Sequence, residues 1–331
     1  MLENKGFNPV FLVGHSRSGS TLLASIMSEH SQIFSLPETH FFPKTYAANL
    51  FEKIFSKKSH NQLVSRLYKN NRIKDIELTK YELEAYLDGN LVGTYCDLFQ
   101  CFLEACLVKS KKNRVLEKTP RHIEYVEKIY ECFPTAKVIC IVRDGRDAVQ
   151  SLVNAPWTHS NKERHAAYWT WCVRESFRLE RKFPEKFKLF RYEDLLIEPV
   201  EFLKNLCLFI NEPFEAKMLS ESRSNAVVPE WEKDWKTKSK SIIDKSFAYK
   251  WKNEVKMTEI SYLQYFMEKE LSRLGYEVYN DNNRVVIPLL KRVVWGRIFS
   301  GIIIKLMMIY REIILPRKND FRSRDLKKSD G

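Results

Sequence analysis

Apolar positions along the chain follow two alternating patterns. The run Pro9-Val-Phe-Leu-Val13 is too short for a helix and ends in a Gly/Ser-rich turn, which predicts a strand. From Thr21 the apolar residues Leu22, Leu23, Ile26 and Met27 take helical spacing, so strand, loop and helix follow one another. The pattern returns at Lys137-Val-Ile-Cys-Ile-Val142, then Arg-Asp-Gly-Arg-Asp, then a helical stretch through Ala148, Val149 and Leu152. Further strands are predicted at Arg114 to Leu116 and Lys188 to Phe190, with segments between them long enough for crossover helices. Continuous apolar strands alternating with helices argue for an α/β fold, a parallel sheet covered on both faces. Arg164 to Lys182 carries Tyr168, Trp169, Trp171 and Phe177, read as a core-facing amphipathic helix whose aromatics are alternatively an acceptor-pocket lining.

No repeat or low-complexity linker interrupts this pattern, and one domain is expected over residues 1–280. Beyond it, Val285 to Leu315 is apolar but broken by Lys291, Arg292, Arg297, Lys305 and Arg311. A spanning helix needs about 20 predominantly apolar residues, so 281–331 is expected to be a basic amphipathic extension, not an anchor. It would either pack on the domain or attach the chain peripherally to an anionic membrane surface or a partner. Charge sharpens the picture. With 55 Lys and Arg against 42 Asp and Glu the formal net charge is +13, which favours a polyanionic ligand, an anionic membrane or nucleic acid. Asp281 to Gly331 holds twelve Lys or Arg and five Asp or Glu, +7 of that total, leaving the body only mildly basic. The seven cysteines show no zinc-ligand spacing and no C-x-x-C pair, and read as reduced thiols. Met1 to Asn8 lacks the apolar run of a secretory signal, so a cytoplasmic location is expected.

Gly14-His-Ser-Arg-Ser-Gly19-Ser20-Thr21 lies between strand and helix, where backbone N–H groups and a helix N-terminus make an anion cradle. Against the nucleotide-binding pattern G-x-x-x-x-G-K-[ST], both glycines and the final hydroxyl match, but Ser20 stands in the lysine position and Arg17 brings the cation inside the loop. That weakens an ATPase or GTPase reading; the plainest alternative is a Gly/Ser turn. In Arg143-Asp-Gly-Arg-Asp-Ala-Val-Gln-Ser151, Arg143 ends a strand and Ser151 follows two helical turns later. A guanidinium fork and a hydroxyl suit a second phosphate, whereas a surface ion-pair cluster is the alternative. Two anion sites at the ends of two strands call for a ligand with two separated anionic groups.

The two segments resemble the 5′-phosphosulfate and 3′-phosphate motifs of sulfotransferases that use 3′-phosphoadenosine 5′-phosphosulfate (PAPS). The closest resemblance is to the tyrosylprotein and carbohydrate-type branch. Arg191-Tyr192-Glu-Asp-Leu195 with Glu198-Pro199 is similar to that family's R-Y-E-D-L segment, and Lys245, Trp251 and Lys252 agree with its late R-K-G-x-x-G-D-W-K-type loop. Asp244, Ser246 and Tyr249 depart from that loop by replacing an arginine and two glycines. The resemblance covers residues 9 to 275 and implies a P-loop-like parallel sheet flanked by helices on both faces. It also implies PAPS as donor, 3′,5′-adenosine bisphosphate as product, and no required metal.

It further implies that Ser16, Arg17, Ser18, Gly19, Ser20 and Thr21 hold the 5′-phosphosulfate, and that Arg143, Ser151, Lys245 and Ser246 hold the 3′-phosphate. Tyr192 would approach the adenosine diphosphate portion. Glu38, 21 residues beyond Arg17, matches the family's general base, with His40 as competitor because an imidazole titrates nearer neutrality. Lys118, in Glu117-Lys-Thr-Pro120, matches a lysine beside the sulfuryl group, against a plain solvated strand-end lysine. The partner is a hydroxyl-bearing acceptor: a saccharide, a peptide tyrosine, a lipid headgroup or a small alcohol or phenol. Nucleic acid is not expected. The competing functions are a P-loop kinase-like phosphotransferase and a non-catalytic anion- or membrane-binding protein.

Overall fold

The computed structural model describes residues 7–46, 60–90, 92–155, 158, 160–220 and 243–279. The expected amphipathic extension at 281–331 lies outside the described residues, as do Trp231 and Trp235, whose sequence context leaves open core packing or an acceptor lid. In chain order the strands are β1 (Val10–Gly14), β2 (Ile33–Leu36), β3 (Arg114–Lys118), β4 (Lys137–Val142) and β5 (Phe187–Arg191). The helices are α1 (Ser20–Ser28), α2 (His60–Leu67), α3 (Lys80–Leu87), α4 (Tyr95–Ser110), α5 (Val126–Cys132), α6 (Gly145–Val153), α7 (Lys162–Lys182), α8 (Tyr192–Ile197), α9 (Pro199–Ile210), α10 (Trp251–Glu254) and α11 (Met257–Arg273).

The sheet is parallel throughout, in the order β2-β3-β1-β4-β5. Both faces of it are covered. Phe11 and Val13 of β1 bury into one core with Phe99 and Phe102 of α4 and Ile129 of α5, while Val10 and Leu12 bury into a second with α1, α8 and α9. That alternation is why β1 reads as continuously apolar: neither face is wet. A third cluster joins α6, α7 and α11 through Val149, Trp169, Leu263 and Met267. Because β1 lies between β3 and β4, the chain leaves it to one side for β2 and β3 and to the other for β4 and β5. The carboxyl ends Gly14, Leu36, Lys118, Val142 and Arg191 therefore share one edge, where open α/β sheets form their ligand crevice.

One expectation is corrected. Cys96, at the start of α4, and Cys132, at the end of α5, form a disulfide, while Cys101, Cys106, Cys140, Cys172 and Cys207 are free and buried. Disulfides persist in oxidising surroundings, so the cytoplasmic expectation no longer draws support from the cysteines. Closing a loop of 36 residues constrains the unfolded chain by about 3–4 kcal/mol. Reduction, or the double change Cys96→Ser and Cys132→Ser, is therefore expected to lower the melting temperature by several degrees. An unchanged transition under reducing conditions would show that the bond contributes nothing. No described helix is long and apolar enough to cross a membrane.

Candidate active site

The turn between β1 and α1 is built for close approach. Arg17 takes φ 69° and Gly19 φ 87°, and a Cβ on Gly19 would fall 2.1 Å from the Tyr192 ring. Only glycine lets the loop lie against that tyrosine. Gly19 is also the N-cap of α1 and makes no side-chain cap bond, so the first turn offers its N–H groups to the crevice. Ser18 is fully buried, with its hydroxyl lacking a hydrogen-bond partner. Ser16 and Thr21 are half-buried and Ser20 is buried at the first position of the helix.

The loop and the second motif meet. Arg17 donates from Nε to the Ser151 hydroxyl at 3.0 Å, across 134 residues of sequence. Arg143 leaves the end of β4 with its guanidinium 5.2 Å from the Tyr192 ring centre, donates to the Phe247 carbonyl at 3.2 Å and lies 3.3 Å from Asp147. Its Nε is buried without a partner. Arg143, Ser151, Arg17, Gly19 and Tyr192 thus gather around one crevice. Trp169 of α7 donates from Nε1 to the Arg143 carbonyl at 2.9 Å, so this aromatic supports the site from beneath as a core residue.

The late loop is fastened to the same strand end. Asp144 accepts from Arg146, at 2.7 and 2.9 Å, and from Trp251 Nε1 at 3.0 Å, while Asp147 accepts from the Trp251 backbone at 2.8 Å. Arg146 stacks 3.7 Å over the Trp251 ring. The Arg-Asp-Gly-Arg-Asp segment is therefore divided: Arg143 faces the crevice, and Asp144, Arg146 and Asp147 pin the late loop. Lys245 and Ser246 are exposed on that loop, with the Ser246 hydroxyl turned to Asp244 at 2.7 Å. Glu193 receives the Asp144 N–H at 3.0 Å and the Tyr276 hydroxyl at 2.6 Å, and burial pushes its carboxyl up to about 7.

Beyond β2 and β3 stands a second group of ionisable side chains. Glu38 accepts from Lys118 Nζ at 2.8 Å and pairs with His40 Nε2 at 2.9 Å. Lys118 is buried in the sheet's carboxyl edge, not a solvated strand-end lysine. Its neighbour Glu117 is fully buried and accepts from the Thr39 and Thr119 hydroxyls at 2.7 and 2.6 Å and pairs with His122 Nδ1 at 2.8 Å. That network is invisible in sequence because its members lie on two strands' ends. His15, directly after β1, is buried beside Tyr168, with neither ring nitrogen well bonded; desolvation pushes its imidazole down to about 3.

With this geometry in place, comparison with known proteins is decisive at the level of family. The family model described as "Sulfotransferase family" matches residues 9–216. The chain belongs to the sulfotransferase family. Among its relatives is the protein described as protein-tyrosine sulfotransferase 1 of Danio rerio, 23% identical over 225 residues, covering 66% of this chain and 57% of that one. A Drosophila melanogaster protein-tyrosine sulfotransferase is 22% identical over 223 residues, 65% of this chain and 40% of the relative. The chain thus spans about half the length of these curated relatives. Similar solved folds are the sulfotransferase domain from the curacin biosynthetic pathway (TM-score 0.58, 23% identity, covering 82% of this chain and 99% of that domain) and the sulfotransferase domain of the Synechococcus PCC 7002 olefin synthase (TM-score 0.61, 19% identity, 83% and 98%). The P-loop-like α/β sheet of this chain is accordingly the fold these domains share.

Proposed function

We propose that the chain transfers a sulfuryl group from PAPS to an acceptor hydroxyl, with Glu38 as general base. The observation that carries the proposal is the Arg17–Ser151 hydrogen bond, which joins the two anion motifs into one crevice. The residues fit a ligand with two separated anionic ends: an uncapped helix N-terminus at one end, Arg143 with an unsatisfied buried Nε at the other, and the Tyr192 ring between them. PAPS, when bound, would supply the sulfuryl group, whose bond to the 5′-phosphate breaks as the acceptor oxygen takes it, leaving 3′,5′-adenosine bisphosphate.

Arg17 and the backbone of Ser16 to Thr21 would hold the 5′ end, and Arg143, Ser151, Lys245 and Ser246 the 3′-phosphate. Glu38 would take the acceptor's proton. Lys118, buried and already paired with Glu38, would place a positive charge beside the departing oxygen. A cationic cage of this kind supplies the charge stabilisation without calling for a metal. Ser20 in place of a lysine still argues against the phosphotransferase alternative, and the Glu38–Lys118 pair against a non-catalytic scaffold.

The test is transfer of ³⁵S from labelled PAPS, in EDTA, to a panel holding a tyrosine peptide, a saccharide, a lipid headgroup and p-nitrophenol. The tyrosine peptide is the first choice because relatives are protein-tyrosine sulfotransferases. Label on an acceptor, lost in Glu38→Gln, is expected; transfer of phosphate from labelled ATP instead would replace this reading by the kinase one.

A further inference from the structure

Glu38 is held by both carboxylate oxygens, Oε1 by Lys118 at 2.8 Å and Oε2 by His40 at 2.9 Å. The second of these contacts is built at some cost. His40 adopts φ 47°, a left-handed conformation that is unfavourable for an L-residue with a Cβ and persists only where its surroundings enforce it. Two contacts enforce it: the His40 N–H donates to Thr119 Oγ1 at 3.2 Å, and Thr119 donates to buried Glu117. On the other side, Thr39 donates its hydroxyl to Glu117 and its carbonyl accepts from Asn70 Nδ2 at 2.7 Å. Residues 39 and 40 are therefore bolted to the end of β3, and the imidazole is carried back onto Glu38.

The direction of the Glu38–His40 bond follows from the protonation state. Burial, reinforced by the charges of Arg72 and Lys44, outweighs the Glu38 carboxylate and pushes the imidazole down to about 4, so it is neutral at pH 7. A neutral imidazole can meet a carboxylate oxygen only by donating, which puts the proton on Nε2. That nitrogen then has no lone pair to offer an acceptor hydroxyl. With Nε2 committed to Glu38 and its basicity lowered by burial, His40 is better placed to orient a base than to serve as one.

We infer that His40 is a positioning residue: its Nε2–H fixes the Glu38 carboxylate in the rotamer that removes the acceptor proton, with the Glu117 network setting where the imidazole stands. The inference rests on Glu38 being the base. It also explains why two donors serve one carboxylate: if Lys118 turns toward the departing phosphate, His40 still holds Glu38.

The test compares His40→Ala with His40→Gln, whose amide nitrogen can take the place of Nε2, in the full chain. Sulfuryl transfer from PAPS to p-nitrophenol and calorimetric binding of 3′,5′-adenosine bisphosphate are measured, together with ¹⁵N-histidine NMR of the parent at pH 7. The NMR should show the neutral Nε2–H tautomer at His40. Misplacing a reacting group by about 1 Å costs on the order of 10²-fold, so His40→Ala should lose roughly 10- to 100-fold in kcat with the KM for PAPS and bisphosphate affinity nearly unchanged. His40→Gln should recover most of that loss. A Gln variant as impaired as Ala, or an imidazole that is charged or unprotonated at Nε2, overturns the positioning role. Undiminished turnover in Glu38→Gln, measured alongside, overturns the base assignment beneath it.

Discussion

Replacing Glu38 by glutamine should lower kcat by roughly 10² to 10⁴, the range for loss of a general base, while binding of 3′,5′-adenosine bisphosphate persists. Glutamine keeps the size of the side chain and can still accept from Lys118 and His40 through one oxygen, so the fold around β2 and β3 should survive. What it removes is the basic oxygen and the negative charge that Lys118 and His40 are arranged to meet. The check is a steady-state assay beside a calorimetric titration on the same preparation. Normal turnover in Glu38→Gln would sink the base assignment; loss of bisphosphate binding would show that Glu38 serves the crevice's architecture and not the proton transfer.

Arg143→Ala is the second large effect. Its guanidinium sits at the strand end with Nε unsatisfied and Tyr192 beneath it, and a charge-assisted hydrogen bond to phosphate is worth on the order of 2–3 kcal/mol, roughly 30- to 150-fold in affinity. The variant should therefore raise the KM for PAPS by that factor and weaken 3′,5′-adenosine bisphosphate equally. It should leave 5′-AMP, which has no 3′-phosphate, almost unaffected. Because Arg143 also donates to the Phe247 carbonyl, the variant could loosen the late loop instead. Equal weakening of 5′-AMP and the bisphosphate would point to that structural effect and away from a 3′-phosphate contact.

The strand–loop–helix at residues 9–28, the strand at 137–142 and the long helix at 162–182 were legible because each is a local pattern: an apolar run, a glycine turn, a 3.6-residue period. Sheet order was not. That β1 lies between β3 and β4 depends on pairings more than 100 residues apart, such as Leu12 with Lys118 and with Ile139, which no local period records. The same distinction runs through the site. Arg17, Gly19 and Arg143 are announced by short motifs, whereas Asp144 and Asp147 read as part of an ion-pair cluster until Trp251 is seen to dock on them. Glu117 carries no mark of its role beside Lys118, since a buried structural carboxylate and a surface one look alike in sequence. Cys96 and Cys132 show no sequence signature because their 36-residue spacing means nothing until α4 and α5 are packed together.

One crevice joins the Arg17 loop, placed for a 5′ anion, to Arg143 and Ser151, placed for a 3′ anion. Calorimetric titration of the full chain with 3′,5′-adenosine bisphosphate, 5′-AMP and ATP, each in EDTA, tests it most directly. One site is expected for the bisphosphate and at least tenfold weaker binding of 5′-AMP, in keeping with the roughly 1.5–3 kcal/mol of a hydrogen bond to a charged group. Equal affinity for the bisphosphate and 5′-AMP, or tighter binding of ATP than of either, would contradict it.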